Sequence, residues 1–356
     1  KAMMSEDAWF EHFGLLTIGP VDGHDLPTLI GTLSEVKHFD KPMVLHVKTV
    51  KAKGFKPAEG DPCGMHSPSA FNIIEDDLES EGCRVELKKG GRSFTSAFGE
   101  AMIELMRRDP KVVTCTAAMP DGTGLNKVMP LFPDRCWDTG ICESHAMDMM
   151  AGLAKTGWKP FFAVYSTFLQ RAFDQAFQEG SLQGLPVRLC LDRAGLVGGD
   201  GAVHHGFCDI SILATLPKAV IMAAMDEPSM KAALDFMTTY DAGLSSVRYP
   251  RDSVSTLFTD QPCPAFELGR ARPLIEVDQP DLAVLGFGVM AIEAGDAVRE
   301  LRNEYAVSVY DPRFAKPVDV ALLKSLLGKG VPILTVEDPS VRGGFGSCVL
   351  EACNEH

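Results

Sequence analysis

The chain has 356 residues, of which 46% are hydrophobic, and a formal net charge of −14 at pH 7. This length is enough for two or three globular domains with buried cores. The negative charge argues against nucleic acid or an anionic membrane as a general partner, because both are bound through basic surfaces. Phosphorylated small molecules stay compatible, since a few local arginines can bind a phosphate on an acidic protein.

The ten cysteines are scattered, and none forms a Cys-x-x-Cys pair. This favours a reducing compartment over a disulfide framework or a zinc site. The longest apolar runs, such as 282–292, are too short to span a membrane, and no signal-like leader precedes the first acidic residues. We therefore expect a soluble, cytoplasmic protein. Because the chain opens on Lys1 and stops just after a helix-like stretch at 349–353, we also expect a fragment of something longer.

The first predicted block covers residues 1–74. Its periodicity indicates a helix over 26–36, and a β-branched run predicts a buried strand at 42–49. Residues 75–92 are charged, carry glycines and have little apolar content, which predicts an exposed linker.

The second predicted block, 93–252, alternates helices with short apolar strands. This alternation predicts an α/β domain with a doubly wound parallel sheet and helices on both faces. The predicted helices cover 94–107, 145–155, 168–180 and 227–240, and the strands cover 112–117, 137–141, 161–165, 187–192, 219–223 and 246–249.

The third predicted block, 281–356, is a smaller α/β domain that lacks its end. Its strands are expected at 282–287, 306–311 and 332–336, with helices between them. Pro262 and Pro264 mark the preceding segment, 253–280, as a second linker.

Three phrases in the second block follow predicted strands and carry polar or aromatic side chains. In an open α/β sheet, ligands bind beyond the carboxyl ends of the strands. Glu143 lies in the first turn of a predicted helix, where a carboxylate commonly serves only to stabilise the helix N-terminus. Phe168 follows another strand, where its ring could stack on a planar ligand or simply pack in the core, and Arg171 comes three residues later.

The third phrase runs from Asp192 and Arg193 through the glycine-rich segment 195–201 to His204 and His205. The glycines allow close approach of a ligand to the backbone, although they also fit an ordinary turn. The adjacent histidines point in different directions, which disfavours a metal pair, and one of them could donate to a substrate oxygen. Arg248 and Arg251 flank a Tyr-Pro pair after a further strand, where an arginine fork suits phosphate but a surface salt bridge is the commoner role.

These phrases resemble those of the 1-deoxy-D-xylulose-5-phosphate synthase family, thiamine-diphosphate enzymes of the transketolase superfamily. The resemblance covers nearly the whole chain and is carried by ordered phrases beginning at Ile18, Lys51, Ala117, Tyr165, Asp192, Val247 and Gly343. It implies a thiamine-diphosphate-binding domain with a doubly wound parallel sheet, followed by a smaller transketolase C-terminal-like domain. Residues 1–74 would then be the C-terminal tail of a pyrophosphate-binding domain.

The resemblance implies a cofactor site in the second block. Glu143 would contact the ring nitrogen of the aminopyrimidine and thereby favour the tautomer that removes the thiazolium proton. Phe168 would stack on the pyrimidine, with Arg171 beside it. The other cofactor contacts implied are Lys51, at the diphosphate, Ile141 and Met119.

The resemblance also implies the substrates, pyruvate and D-glyceraldehyde 3-phosphate. The acceptor phosphate would be held by Tyr165, Arg193 and Arg248. Asp200 and His204 would meet the acceptor's hydroxyl and aldehyde oxygens, and His66 matches a family histidine near the reacting carbon. The reaction implied is decarboxylation of pyruvate and transfer of its two-carbon unit to the aldehyde, giving 1-deoxy-D-xylulose 5-phosphate for isoprenoid, thiamine and pyridoxal biosynthesis. A homodimer is usual in the family.

The superfamily binds Mg²⁺ with Gly-Asp-Gly and an Asn further along the chain, as suits a cation that prefers oxygen ligands. The Gly-Asp-Gly around Asp200 lacks an Asn at that spacing, so we expect no metal ligand in this chain and place the Mg²⁺ site in the missing N-terminal part. At Cys142, Ser144, Phe207 and Asp252 the chain differs from the residues that are usual in the family's sequence motifs. Two alternatives therefore stay open: another enzyme of the superfamily with a different donor or acceptor, and a non-catalytic partner chain.

Overall fold

The computed structural model describes residues 9–60, 65, 71–75, 83–87, 91–301 and 304–356. The chain divides into two compact units, residues 1–90 and 91–356. The strands are β1 (Leu16–Asp22), β2 (Met43–Lys48), β3 (Phe71–Glu75), β4 (Cys83–Leu87), β5 (Val112–Thr116), β6 (Cys136–Asp138), β7 (Lys159–Tyr165), β8 (Arg188–Asp192), β9 (Val220–Ala223), β10 (Ser245–Arg248), β11 (Arg272–Ile275), β12 (Leu282–Gly286), β13 (Val307–Asp311), β14 (Phe314–Lys316) and β15 (Ile333–Val336). The helices are α1 (Leu26–Val36), α2 (Lys56–Glu59), α3 (Phe94–Arg108), α4 (Glu143–Lys155), α5 (Phe173–Gln175), α6 (Asp209–Ala214), α7 (Glu227–Thr239), α8 (Met290–Leu301), α9 (Val320–Gly328) and α10 (Phe345–Glu355).

The first unit contains a parallel pair, β1 and β2, and an antiparallel pair, β3 and β4. Helix α1 begins where the sequence predicts it, because Asp25 caps its first turn by accepting from the amide of Thr28 at 3.2 Å. Strand β4 lies inside the segment predicted as an exposed linker. Its sequence, Cys-Arg-Val-Glu-Leu, alternates apolar and polar residues as a strand does, and the charged neighbours on both sides masked that signal.

The second unit is built on a seven-stranded sheet with the order β14-β9-β10-β8-β7-β5-β6. Every pairing is parallel except that of β14 with β9 at the edge. Strands β5, β8, β9 and β10 are buried along their whole length, as expected for a sheet covered on both faces. The predicted α/β, doubly wound arrangement is therefore confirmed.

Helices cover the two faces of this sheet. On one face α3 and α7 contribute residues such as Phe98, Met102 and Met230, and on the other α4 and α6 contribute residues such as Met147 and Leu213. All five side chains are completely buried. Each such side chain stabilises the fold by about 1.5–3 kcal/mol through removal of apolar surface from water.

The order in which successive strands are added to the sheet reverses at β5, because β6 lies on one side of β5 and β7 on the other. Such a switch point opens a crevice beyond the carboxyl ends of the strands, where α/β proteins bind ligands. Met119 follows β5, Glu143 follows β6, Tyr165 ends β7 and Arg193 follows β8. The sheet order therefore brings four sequence-distant segments to one edge.

Two elements near this edge differ from the prediction. The strand expected at 137–141 ends at Asp138, because the carboxylate Oδ1 accepts from the amides of Ala118 at 2.6 Å and Gly140 at 2.9 Å and turns the chain. The helix expected at 168–180 is a succession of a 3₁₀ segment (Ser166–Ala172), the short α5 and a π segment (Ala176–Ser181). Such irregular winding often marks a functional segment.

A second, four-stranded sheet has the order β11-β13-β12-β15, and β11 is its antiparallel edge. Strand β11 falls inside the predicted linker 253–280, where its proline conceals the strand signal. Strand β14, from the predicted third domain, pairs with β9 of the larger sheet. The two sheets are therefore joined within one compact unit. None of the described helices has the length and apolarity needed to cross a bilayer.

Candidate functional site

Glu143 is the first residue of α4, and its side chain is only 3% exposed. Arg171 Nη1 lies 2.8 Å from the carboxylate Oε2, yet this atom receives no properly aligned hydrogen bond from any described residue. A buried carboxylate oxygen without a hydrogen bond is costly, and its cost falls when a ligand donates to it. Glu143 is therefore placed to accept a hydrogen bond from a bound molecule.

Three rings meet above the end of β7. Tyr165 and Phe168 stack with ring centroids 5.8 Å apart, and His204 meets them edge-on at 6.0 and 5.6 Å. His204 Nδ1 lies 2.8 Å from the backbone carbonyl of Asp200. Because a carbonyl can only accept, Nδ1 carries the hydrogen in this contact, and Nε2 accepts in a neutral ring or donates in a protonated one. The sequence analysis assigns Phe168 to the cofactor and Tyr165 and His204 to the acceptor, and in the structure the three rings are in contact.

Arg193 joins this ring cluster to the sheet. Its guanidinium lies over the Tyr165 ring at 4.2 Å, and its Nη1 donates to Asp192 Oδ1 at 2.9 Å. Asp192 Oδ2 in turn accepts from Thr95 Oγ1 at 3.0 Å. Burial raises the pKa of Asp192 to about 6, although the adjacent Arg193 opposes that rise. The arginine is thus held in one orientation by a buried carboxylate and by an aromatic face.

The backbone supports this arrangement at two special positions. Arg193 itself has a left-handed backbone, with φ +58°, which is rare and strained for a side chain of this kind. Gly122 has no side chain and lies directly against the Tyr165 hydroxyl. Its backbone carbonyl accepts a hydrogen bond from Arg193 Nη1. A methyl group at position 122 would occupy the space of the Tyr165 hydroxyl.

Asp200 lies between two cations. Its carboxylate accepts from Arg193 Nε at 3.2 Å and from Arg251 Nη1. The Gly-Asp-Gly around Asp200 is thus organised by arginines. Within the described part of the chain, no three His, Cys, Asp or Glu side chains converge as a metal site requires.

Arg248, predicted as a phosphate ligand, occupies a separate position at the end of β10. It is buried, its Nε donates to Asp209 Oδ2 and its Nη1 to Asp338 Oδ1, both at 2.9 Å, and its Nη2 has no hydrogen-bond partner among the described residues. Asp338 also lies against Gly195, in the loop that carries Asp200 and His204. The structure therefore connects Arg248 to the acceptor-side loop through Asp338.

The other predicted cofactor contacts are distributed as follows. Ile141 is exposed just before α4, as is Cys142, and Met119 is partly buried after β5, where its carbonyl accepts from Thr123. Lys51 lies in the turn after β2, in the other unit of the chain. His66 falls outside the residues that the structure describes.

Several site residues escaped the sequence prediction. Thr95, Gly122, Asp209 and Asp338 are each ordinary in their local sequence, and each meets its arginine across a sequence distance of at least 39 residues. The motif beginning at Ala117, which contains Gly122, and the Gly-rich motif after Asp338 marked these two neighbourhoods as unusual. Side-chain pairs of this kind depend on sheet order, which local patterns do not contain.

The chemistry of these side chains can be compared with that of a thiamine-type cofactor. Such a group offers an aromatic aminopyrimidine ring with hydrogen-bond donors, which suits a buried carboxylate whose Oε2 accepts no aligned hydrogen bond. Glu143, Arg171 and Phe168 lie on α4 and on the 3₁₀ segment packed against it. These described residues fit the pyrimidine half of the group.

Three family profiles match the chain. The profile described as 1-deoxy-D-xylulose-5-phosphate synthase matches residues 1–49, that of the transketolase pyrimidine binding domain matches 91–256, and that of the transketolase C-terminal domain matches 271–356. Together they account for most of the sequence in one order.

Relatives named 1-deoxy-D-xylulose-5-phosphate synthase match along the whole chain. The chain is 40% identical over 352 residues to 1-deoxy-D-xylulose-5-phosphate synthase 2 of Geobacter sulfurreducens, covering 99% of this chain and 55% of that protein. It is 41% identical to the synthase of Anaeromyxobacter dehalogenans and 41% identical to that of Clostridium perfringens, in each case over 100% of this chain and 55% or 56% of the relative. The chain thus spans about half the length of the relatives that it matches.

Solved structures support the same assignment. A split gene transketolase, described as an inactive β4 tetramer, superposes with a TM-score of 0.66 at 29% identity over 75% of this chain and 86% of that one. Transketolase from Leishmania mexicana gives a TM-score of 0.62 at 17% identity over 71% of this chain and 39% of that one, which shows the shared fold. With the ordered profile matches and the full-length identity of about 40%, these findings show that the chain belongs to the 1-deoxy-D-xylulose-5-phosphate synthase family of transketolase-like proteins.

Proposed function

We propose that this chain carries the pyrimidine-binding and acceptor-binding parts of an enzyme that condenses pyruvate with D-glyceraldehyde 3-phosphate, with loss of CO₂, to give 1-deoxy-D-xylulose 5-phosphate. The observation that carries the proposal is the buried carboxylate of Glu143, whose Oε2 faces Arg171 but accepts no aligned hydrogen bond. The family membership supplies the reaction class.

The cofactor proposed is thiamine diphosphate with Mg²⁺. The chemistry that it supplies when bound is the stabilisation of negative charge at a former carbonyl carbon. Glu143, which pairs with Arg171, would accept a hydrogen bond from the aminopyrimidine. Phe168 presents a ring face to the pyrimidine, while Ile141 and Met119 add apolar surface. From the family resemblance we also propose that Lys51 contacts the diphosphate and that His66, which lies outside the described residues, acts near the reacting carbon.

The acceptor is held by the ring and arginine cluster. Arg193 is fixed by Asp192 and Tyr165 and offers a charged donor for a phosphate group. His204 is oriented through Nδ1, and we propose that its Nε2 accepts from the acceptor's hydroxyl when the ring is neutral and donates to the aldehyde oxygen when the ring is protonated. Asp200 aligns Arg193 and Arg251, and we propose that it also meets the acceptor hydroxyl.

The proposal is tested on the protein as its gene encodes it, supplied with Mg²⁺ and thiamine diphosphate. We expect slow CO₂ release from pyruvate alone and a large increase when glyceraldehyde 3-phosphate is added. Unphosphorylated glyceraldehyde serves as the control acceptor. Equal turnover with both aldehydes would contradict the proposed binding of phosphate by the arginines. No CO₂ release with either aldehyde would refute the proposed reaction.

A second candidate is a subunit that is active only with a partner chain. The likeness to a split gene transketolase that is inactive as a β4 tetramer favours it. It predicts no turnover by the isolated 356-residue chain and recovered turnover on mixing with a separate chain. Association as a homodimer and a cytoplasmic location are also proposed, and light scattering and cell fractionation test them.

A further inference from the structure

The guanidinium of Arg248 is only partly used by the protein. It is 3% exposed at the end of β10, and two of its three nitrogens donate to Asp209 and Asp338 at 2.9 Å each. The third, Nη2, is buried and has no hydrogen-bond partner among the described residues. Two carboxylates and one guanidinium give this group a formal charge of −1. A simple ion pair between packed elements needs neither a second carboxylate nor an unused donor.

The chain at Asp338 is held by contacts besides that with Arg248. It follows β15, and the preceding Glu337 accepts from the amides of Phe345 at 2.6 Å and Gly346 at 2.8 Å at the start of α10. On its other side the Asp338 carboxylate lies directly against Gly195, where a Cβ atom would overlap it. The position of Asp338 is therefore fixed by α10 and by the glycine loop.

A notch in the protein lies beside this pair. Arg248 and Asp338 both line a cavity of about 10 Å³, whose other walls include Ala194, Ala223 and Gly288. A cavity of this size admits at least one water molecule, so it is large enough for one oxygen atom of an anion.

We propose that Asp338 is a positioning residue for anion recognition: with Asp209 it holds Nε and Nη1 of Arg248, so that Nη2 is presented to one oxygen of a phosphate monoester. The inference rests on the proposed function, in which the acceptor carries that phosphate. Fixing the arginine in advance removes the entropy cost of ordering it when the anion binds. The negative charge of Asp338 opposes the anion, so the hydrogen bond and the charge have opposite effects and can be separated by substitution.

The test measures binding of inorganic phosphate to the 356-residue chain through the rise in melting temperature, which follows ligand concentration by mass action. For Asp338→Ala, which frees Nη1, we expect the phosphate concentration at half-maximal stabilisation to increase about tenfold, as loss of an ordered charge-assisted contact implies. For Asp338→Asn, whose amide oxygen still accepts from Nη1, we expect a change within about threefold. Asp338→Ser is too short to reach Nη1 and replaces the Ala variant if that variant does not fold.

Asp109→Asn is the matched control, because Asp109 pairs with Lys159 at 2.7 Å away from the site, and its phosphate response is expected to match that of the unaltered chain. The positioning role is overturned if Asp338→Ala binds phosphate as well as, or more tightly than, the unaltered chain. It is also overturned if the unaltered chain shows no saturable stabilisation by phosphate.

The failure of this inference can be told apart from failure of the proposed function. In the protein as its gene encodes it, Asp338→Ala should raise KM for glyceraldehyde 3-phosphate about tenfold and leave kcat within about threefold. If turnover is normal but neither KM nor phosphate binding changes in Asp338→Ala, the inference is wrong and the function stands. If phosphate binding depends on Asp338 but pyruvate and glyceraldehyde 3-phosphate are not turned over, the function is wrong and the anion site stands.

Discussion

The guanidinium of Arg193 lies across the ring of Tyr165, 4.2 Å from the ring centroid. The two residues come from the ends of neighbouring strands, β7 and β8, whose register pairs Tyr165 with Asp192. The tyrosine ring, the arginine and the buried Asp192 therefore form a single unit. A change to any one of them should alter the other two.

Substitution of Gly122 tests whether the position of Tyr165 matters. The new methyl group of Gly122→Ala would overlap the Tyr165 hydroxyl and displace a ring that is packed between Phe168 and Arg193. We expect KM for the phosphorylated aldehyde to rise about tenfold or more with a smaller change in kcat, because a binding contact is lost. Steady-state kinetics with varied aldehyde measure this.

Gly152→Ala is the matched control for Gly122→Ala. Gly152 lies inside α4 with no atom near the added methyl group. The alanine should leave KM unchanged and stabilise the protein by about 0.5–1 kcal/mol, as in other helix interiors. If both variants had the same kinetics as the unaltered protein, the role given to Tyr165 would be refuted.

Loss of Arg193 should destabilise the fold as well as the site. Among the described residues, Arg193→Ala leaves the fully buried Asp192 with Thr95 as its remaining side-chain hydrogen-bond partner. An unpaired buried charge costs about 3–5 kcal/mol. Urea unfolding should show this loss, and the double variant Asp192→Asn with Arg193→Ala should recover a large part of it. An undiminished unfolding free energy in Arg193→Ala would contradict the buried pair.

A buried aspartate away from the site gives a pH prediction. Burial raises the pKa of Asp311 from its ordinary 3.8 to about 7, while Arg313 and Arg272 oppose the rise and Asp226 adds to it. A raised pKa means that the folded state holds the proton more tightly than the unfolded state does. The contribution of Asp311 to stability is therefore complete below about pH 4 and is lost as the pH rises through about 7.

The comparison with Asp311→Asn measures this contribution. The amide of Asp311→Asn cannot ionise. The stability of this variant relative to the unaltered protein should therefore increase by a few kcal/mol as the pH rises from about 4 to 7, and then level off. Asp109 gives the opposite sign, because the hydrogen bond from Lys159 lowers its pKa. The stability of Asp109→Asn relative to the unaltered protein should therefore fall as the pH rises through the acidic range. A flat difference for Asp311→Asn would contradict the shift.

The sequence predicts most of the larger sheet because its strands are short, contain apolar runs and alternate with amphipathic helices. It also predicts that Glu143, Tyr165, Phe168 and Arg193 share one edge, since all follow strands of a parallel sheet. Strands β4 and β11 escaped prediction because charges and a proline outweighed their alternating patterns. The pairing of β14 with β9 joins distant parts of the chain and has no local signal.

The contacts of Arg248 show the same limit within the site. In the sequence, an arginine at the end of a strand next to a Tyr-Pro pair suggests a guanidinium that is free to bind a phosphate. Only the folded arrangement shows that Asp209 and Asp338, 39 and 90 residues away, already hold two of its nitrogens. Which side chain meets an arginine depends on strand order and loop path, and neither is written in the neighbouring residues.

Glu143 is the residue on which the central claim depends. We expect Glu143→Ala to lower the rate of 1-deoxy-D-xylulose 5-phosphate formation by about 10²–10⁴, as loss of a group that assists proton transfer does. Glu143→Gln, which keeps the shape and can still accept at one atom, should be intermediate or equally impaired. The melting temperatures of both variants confirm that they are folded.

The most direct measurement is therefore the rate of product formation from pyruvate and glyceraldehyde 3-phosphate by the gene-encoded protein and its Glu143→Ala variant, at saturating thiamine diphosphate and Mg²⁺. We predict turnover by the unaltered protein and a nearly inactive but folded variant. Full activity in Glu143→Ala would contradict the assignment of this buried carboxylate to the cofactor.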